Sequence, residues 1–329
     1  MKAPQNEEIF KVNDSQSFER MALKVFRFQA ARCPVYGEYV RLLGIDPDRI
    51  ENIFAIPFMP VSFFRDHPIM TGGGEPEKVF LSSGTAGMRQ STHSVKSLAL
   101  YDESLERSFS IFYGNPSQYA IMGLLPSYLE REGSSLIYMV NRLMTLSGND
   151  NGGFFLDDYA GLLRSIKKSR AAGLRVLLIG VTFALLDMAE RCPEDLGDVI
   201  IMETGGMKGR RQEMIREELH EVLKSAFGVP SVHSEYGMTE LLSQAYSAGD
   251  GLFMTPPWMK VLIRDSHDPM SHTDEEGASG GISVIDLANI WSCSFIATSD
   301  LGRMNGENRF EVLGRFDNSD VRGCSLLIT

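Results

Sequence analysis

Ser82-Ser83-Gly84-Thr85-Ala86-Gly87 follows the apolar run Val79-Phe80-Leu81. Small residues and hydroxyls at the end of a strand let backbone N–H groups approach phosphate oxygens. No Lys-Ser/Thr pair closes the turn, so it is not a Walker A loop. A second segment, Glu235-Tyr236-Gly237-Met238-Thr239-Glu240, offers a flat ring to stack on a base and a hydroxyl for a phosphate. It ends in a carboxylate suited to Mg²⁺ shared with nucleotide oxygens. Thr298-Ser299-Asp300-Leu301-Gly302-Arg303 and Gly314-Arg315-Phe316-Asp317-Asn318 come third and fourth. A carboxylate such as Asp300 is the usual partner of paired ribose hydroxyls, and a nearby arginine neutralises phosphate. Taken singly, each segment is also what an ordinary polar turn looks like.

The elements that must position these segments follow from periodicity. Asn13, Asp14 and Ser15 offer N-caps ahead of Phe18, Met21, Ala22 and Val25 at helical spacing, and Tyr36, Tyr39, Val40 and Leu43 form a second amphipathic stretch. Residues 1–55 are therefore expected to form a helical layer, broken at Ile56-Pro57-Phe58-Met59-Pro60 because proline removes a donor and restricts its predecessor. Between 56 and 250, short apolar runs (Tyr119–Leu125, Leu174–Ile179, Val199–Met202) alternate with helical patterns (Leu162–Ala172, Arg210–Leu223). That alternation predicts an α/β fold, a mostly parallel sheet covered by helices. From 251 to 329 short β-like stretches with turns (Lys260–Arg264, Gly281–Ile285, Phe310–Leu313) predict an antiparallel β region joined to the same unit.

Composition sets the outer bounds. The chain has 329 residues, 43% of them hydrophobic and 23% charged, as in an ordinary globular protein with a sizeable core. A formal net charge of -11 argues against nucleic acid as a partner and against docking on anionic membranes. No run approaches the length of a membrane helix, and the N-terminus does not read as a secretory signal. Cys33, Cys192, Cys293 and Cys324 lie far apart without metal-ligand spacing, which fits free thiols in a cytoplasmic protein.

The four segments occur in one order across most of the chain, and this ordered set resembles the adenylate-forming superfamily of acyl- and aryl-CoA ligases, luciferases and adenylation domains. Ile56–Phe64 (IPFMPVSFF) and the closing GRFDNSDVRGCSLL resemble more narrowly the acyl-protein synthetase of the bacterial luminescence fatty-acid reductase complex. Phenylacetate–CoA ligase shares the broader pattern. The resemblance covers roughly residues 50 to 329. It implies an acyl-CoA synthetase-like large domain that uses ATP and Mg²⁺ to convert a carboxylic acid, a fatty acid in the luminescence case, to an acyl-adenylate.

Carried over position by position, Ser82, Ser83, Gly84, Thr85 and Gly87 would hold the β- and γ-phosphates, and Tyr236, next to Gly237 and Met238, would stack on adenine. Thr239 would contact the α-phosphate and Glu240 would bind Mg²⁺. Glu203-Thr204-Gly205-Gly206 would lie along the adenine, Asp300 would bind the ribose, and Arg315 would reach the nucleotide from the far side. Tyr128 would guard the acid's pocket; His233 and His93, singled out by residue type and not by the resemblance, are further candidates for lining the site.

Two departures stand out. The phosphate turn is followed by Met88-Arg89-Gln90 instead of a lysine, and the chain reaches Thr329 where relatives begin a small domain that carries a catalytic lysine. Absence of that domain is thus expected, either naturally or by truncation. Arg315, with Arg89 and Lys208 behind it, is the candidate replacement cation. Cys324, two residues from Arg322, is the expected acyl acceptor on the luminescence model, with an acyl-CoA reductase-like protein as partner. Transfer to coenzyme A, or nucleotide binding without turnover, are the alternatives.

Overall fold

The computed structural model describes residues 2–82, 89–126, 133–205, 214–306 and 308–316. Its helices are α1 (Asn6–Ile9), α2 (Ser15–Arg32), α3 (Pro34–Leu42), α4 (Phe63–Asp66), α5 (Leu98–Tyr113), α6 (Ser135–Ser147), α7 (Tyr159–Ala171), α8 (Thr182–Arg191) and α9 (Arg216–Phe227). The strands are β1 (Met59–Pro60), β2 (Lys78–Leu81), β3 (Thr92–Val95), β4 (Tyr119–Leu124), β5 (Gly153–Phe154), β6 (Arg175–Val181), β7 (Ile200–Thr204) and β8 (Val232–Tyr236). They continue with β9 (Ala245–Ser247), β10 (Leu252–Met254), β11 (Met259–Arg264), β12 (His272–Thr273), β13 (Ser279–Asp286), β14 (Phe295–Met304) and β15 (Arg309–Arg315).

The predicted α/β character holds. Among the described residues one sheet runs β12-β11-β13-β14-β15-β10-β9-β8-β7-β6-β4-β5, with β1 beside β14, while β2 and β3 form a separate antiparallel hairpin. Pairing is parallel along β5-β4-β6-β7-β8, where helices make the crossovers, and antiparallel from β8 outward to β12. The change comes where turns too short for a crossover replace helices, which forces neighbouring strands to reverse. Residue 250 therefore falls between two paired strands of one sheet, β9 and β10.

Local signals account for most element starts. Asp14 caps α2 by accepting the Ser17 amide at 2.7 Å, and the Ser17 hydroxyl lies 3.2 Å from the Asp14 amide in return; such caps contribute about 1 kcal/mol. The α2 face bearing Phe18, Ala22, Val25, Phe26 and Gln29 is buried. Its one polar member is fully satisfied: Gln29 donates to the Asn289 and Ile290 carbonyls at 3.1 and 3.0 Å and accepts the Ser294 amide at 2.9 Å. Helix α9 begins later than its charge pattern suggested, at Arg216, and residues 206–213 lie outside the described residues.

Two cores result. One joins the N-terminal helices to the antiparallel half, with Phe26, Tyr36 and Phe58 each in ring contact with Phe295. The other fills the parallel half between β4, β6, β7, β8 and helices α5 to α9. The first 55 residues thus pack chiefly on strands from the far end of the chain, a contact that no local pattern encodes. Between the cores lies the seam β8-β9-β10-β15-β14.

Candidate nucleotide site

The chemistry-bearing segments meet at this seam. Tyr236 ends β8, and its hydroxyl donates to Asp300 Oδ2 on β14 at 2.9 Å. Arg315, the last residue of β15, donates from Nε to Asp300 Oδ1 at 3.1 Å. Asp300 and Arg315 are direct register partners, which explains how two segments fifteen residues apart become one feature. The Arg315 side chain is 79% exposed and Asp300's only 11%, so the carboxylate is fixed from within and the guanidinium stands at the mouth. The Tyr236 ring packs edge-on against Phe310 and Phe253, with centroids 5.5 and 5.9 Å away. Burial, with the Asp300 carboxylate next, pushes its phenol well up, so it stays a donor.

The turn after Tyr236 is held by its backbone. His93 Nδ1 lies 2.7 Å from the Thr239 carbonyl, and Asn289 Nδ2 donates to the Glu240 carbonyl at 2.7 Å. Asp286 then accepts the amides of Leu242 and Ser243 at 2.8 and 3.0 Å. Three buried side chains thus fix three successive stretches of one turn, leaving the side chains of Thr239 and Glu240 for other partners. His93 Nε2 also faces Asn289 Oδ1 at 3.1 Å; burial pushes this ring down to about 4, while its contacts with Thr239 and Asn289 pull the other way. His93 is therefore a support of the turn and not a lining residue.

Glu240 is 5% exposed, and its carboxyl is raised by burial against an opposing hydrogen bond from the Ser91 side chain. Ser91 in turn exchanges backbone and side-chain bonds with Ser82, its amide donating to Ser82 Oγ at 2.8 Å and its carbonyl accepting the Ser82 amide at 3.0 Å. The hairpin that carries the phosphate segment is thereby tied to the turn that carries Glu240. The Ser135 hydroxyl, in the first turn of α6, lies 3.4 Å from Thr239 Oγ1. Ser91, Ser135, Asn289 and Asp286 were not singled out from sequence. Only Ser135 carried a signal, as half of a Ser-Ser pair opening a helix.

Under the parallel end, Glu203 is buried on β7 and receives Arg216 Nε at 3.2 Å. Burial would raise this carboxyl, but a His220 hydrogen bond and the Arg216 guanidinium outweigh it and hold it below the ordinary value. Arg216 also donates to the Val312 carbonyl at 2.9 Å and lies over the Phe253 ring, so it fastens the seam from below. Thr204 points to the other face, where its hydroxyl donates to Glu235 Oε2. Burial, aided by Glu203, pushes Glu235 up to about 7. The chain turns away from β7 at Gly205, whose φ of +72° suits glycine, and its carbonyl accepts the Thr182 hydroxyl at 3.1 Å. At Gly237 a Cβ would sit 2.3 Å from Glu235 Oε1, so a side chain there would have to displace that carboxyl.

Some expected residues stay apart from the cluster. His233 lies on the opposite face of β8 from Tyr236, with Nδ1 3.1 Å from the Tyr113 hydroxyl. Arg89 is exposed and points to Asp66 at 3.8 Å. Ser83, Gly84, Thr85, Gly87, Tyr128, Gly206, Lys208 and Cys324 lie outside the described residues. Among the described residues no group of three or more His, Cys, Asp or Glu side chains could cage a metal. No described helix is long and apolar enough to cross a membrane.

Solved structures of several ligases share this mixed-sheet fold. An open form of 2-hydroxyisobutyryl-CoA ligase in complex with 2-HIB-AMP and CoA matches with a TM-score of 0.67 at 13% identity, over 92% of this chain and 75% of that one. A malonyl-CoA ligase with methylmalonyl-CoA and AMP bound gives 0.53 at 16% identity, over 74% and 53%. O-succinylbenzoate coenzyme A synthetase from Bacillus subtilis, in complex with AMP, gives 0.52 at 18% identity, over 74% and 62%. No family model matches the chain, and no curated protein does. At these identities the likeness is one of fold.

Proposed function

We propose that this protein activates a carboxylic acid with ATP to an acyl-adenylate and passes the acyl group to a thiol. The observation that carries this reading is the convergence of Tyr236, Asp300 and Arg315 with the Ser82–Ser91–Glu240 chain at one sheet seam. The similar solved structures, which hold AMP or an acyl-adenylate, support it.

In the first step the acid's carboxylate attacks the α-phosphorus, the bond to the bridging oxygen breaks, and pyrophosphate leaves. Two anions must approach, so catalysis is chiefly alignment and charge neutralisation. Asp300 has lone pairs left for both ribose hydroxyls after binding Tyr236 and Arg315. Thr239 would offer its hydroxyl to the α-phosphate, and the sequence resemblance assigns the outer phosphates to Ser82, Ser83, Gly84, Thr85 and Gly87. Mg²⁺ bound by Glu240 would neutralise phosphate charge. Arg315, exposed at the mouth, is the cation best placed to assist. Thr204-Gly205-Gly206 would border the adenine.

In the second step a thiolate attacks the acyl carbon and AMP leaves. The resemblance to the luminescence synthetase favours Cys324 as that thiol, and a reductase-like protein as the partner that draws off the acyl group. Cys33 and Cys293 are buried, and burial raises both thiols, which leaves them poor acceptors.

The test is intact-mass measurement after incubation with Mg-ATP and an acid, alongside acid-dependent exchange of pyrophosphate into ATP. A hydroxylamine-sensitive acyl adduct that disappears in Cys324→Ser, with exchange retained, supports the full reading. Acyl-CoA formed only on adding CoA moves the second step to coenzyme A. Absence of exchange with any acid removes adenylation itself.

A further inference from the structure

Residues 287–294 join β13 to β14, and all of them except Trp291 are buried. Connecting segments normally run over the surface, because an irregular backbone indoors must find a partner for each polar group. Here each carbonyl from 289 to 294 has one. Gln29 Nε2 donates to the Asn289 and Ile290 carbonyls at 3.1 and 3.0 Å. The Thr71 amide donates to the Trp291 carbonyl at 2.8 Å, and the Thr71 hydroxyl to that of Ser292 at 2.6 Å. Asn289 Nδ2 reaches the Cys293 carbonyl at 2.9 Å, and the Asp286 amide that of Ser294 at 2.8 Å. Gln29 Oε1 accepts the Ser294 amide at 2.9 Å. One side of the segment is therefore fastened by Gln29 and Thr71, both from the first 71 residues.

The same segment grips the turn that carries Thr239 and Glu240. Asn289 Nδ2 gives its second bond to the Glu240 carbonyl at 2.7 Å. Asp286, just ahead of the segment, accepts the Leu242 and Ser243 amides at 2.8 and 3.0 Å and the Ser243 hydroxyl at 2.6 Å. A single residue, Asn289, thus links Gln29 on α2 to the backbone of Glu240. Filling space does not require an amide at position 29. Its neighbours on the buried face of α2 are Phe18, Ala22, Val25, Phe26 and Phe28, and a leucine there would avoid burying polar atoms. A fully satisfied buried polar network does what a leucine cannot, which is to select one backbone arrangement over its near neighbours. Asp300 is held by other means, through Tyr236 and Arg315.

We propose that Gln29 and Asn289 are positioning residues for the step at the α-phosphorus. They set the backbone of the Thr239–Glu240 turn, so α2, which lies outside the stretch that carries the sequence resemblance, governs turnover and not nucleotide affinity. This rests on the adenylation reading above. Neither side chain touches a reactant; both act through the turn. A small misplacement of aligned groups by a distant change is enough to slow a reaction that depends on alignment.

The test combines acid-dependent pyrophosphate exchange, calorimetric ATP binding and amide hydrogen exchange, all on the full chain. In Gln29→Leu and Asn289→Ala, kcat counted per ATP-binding site should fall about tenfold or more, while the ATP Kd moves less than about threefold. Amide exchange across residues 237–244 should quicken in Gln29→Leu, although residue 29 does not touch them. Thr71→Val removes only the bond to the Ser292 carbonyl and should act in the same direction by a smaller factor; it decides the matter should Gln29→Leu fail to fold. A lower Tm with kcat per site and turn exchange unchanged would mean a structural role alone and overturn the assignment. Parallel loss of ATP affinity and turnover would overturn it too, since the two routes would then not be separate. A wild-type chain that exchanges pyrophosphate with no acid would remove the adenylation reading, and this assignment with it.

Discussion

Tyr236 and Asp300 are 64 residues apart in the chain, yet the tyrosine hydroxyl meets the aspartate Oδ2 at 2.9 Å, and Arg315 holds the other oxygen at 3.1 Å. This bond crosses the seam between the two cores, so the state of the seam and the state of the site are one question. A carboxylate held by two donors has lost the freedom to rotate, which lowers the entropic cost of binding paired hydroxyls.

Asp300→Ala should therefore weaken ATP binding by roughly 2–3 kcal/mol, about 30- to 150-fold. Tyr236→Phe keeps the ring and frees one oxygen, so its loss should be smaller, near tenfold at about 1.4 kcal/mol. Calorimetric titration with ATP and 2′-deoxy-ATP checks both. Equal binding of the two nucleotides by the wild-type protein would show that Asp300 does not read the ribose.

Glu240→Gln should abolish acid-dependent pyrophosphate exchange and leave the fold intact, because the Glu240 backbone, not its side chain, is what Asn289 holds. Circular dichroism alongside the exchange assay separates the two effects. Exchange at the wild-type rate in this variant would take Glu240 out of the mechanism.

Arg216→Met should destabilise the protein by about 3 kcal/mol, since it strips the guanidinium from buried Glu203. For a chain of this size that is a Tm drop of roughly 4 °C. Adding Glu203→Gln should recover much of the loss by neutralising the stranded charge. If the double variant is no more stable than Arg216→Met alone, the pair is not what Arg216 contributes.

Acidification should destabilise the fold between about pH 6.5 and 4. His93, His233 and His272 are each pushed down from 6.5 to about 4 by burial, so in that window the unfolded chain binds protons that the folded one refuses. Stability then rises with pH. Glu235, raised from 4.5 to about 7, works in the opposite sense, as do Glu240 and Asp286, both raised by burial, so the single-residue comparison isolates the histidine effect. Fully buried His93 should contribute a slope of about 1.4 kcal/mol per pH unit. Chemical denaturation at pH 5 and pH 6.5 measures it, and His93→Gln should flatten the profile by that one proton. An unchanged profile in the variant would mean His93 is protonated in the folded state.

The sequence by itself determined the parts with local causes. Asp14 and Ser17 announce α2, the prolines at 57 and 60 stop the helical layer, and the apolar runs around Tyr119, Leu177 and Ile201 become the parallel strands. Tyr236, Asp300 and Arg315 stood out as candidates by residue type, but that they meet is a matter of strand register. Tertiary structure decided what depends on register and burial. His233 looks as promising as His93 in sequence, but strand alternation turns it to the face away from Tyr236, and His93 becomes a support because β3 passes beneath the Thr239 carbonyl. The N-terminal helices find their core on strands some 260 residues away, through Gln29 and the 289–294 segment. Helix α5 lies across β8 and β9, so that Ser104 meets Ser243 and Tyr113 meets His233. Periodicity marks these residues as buried, but only the packing of helix on sheet decides whether a buried hydroxyl finds a partner.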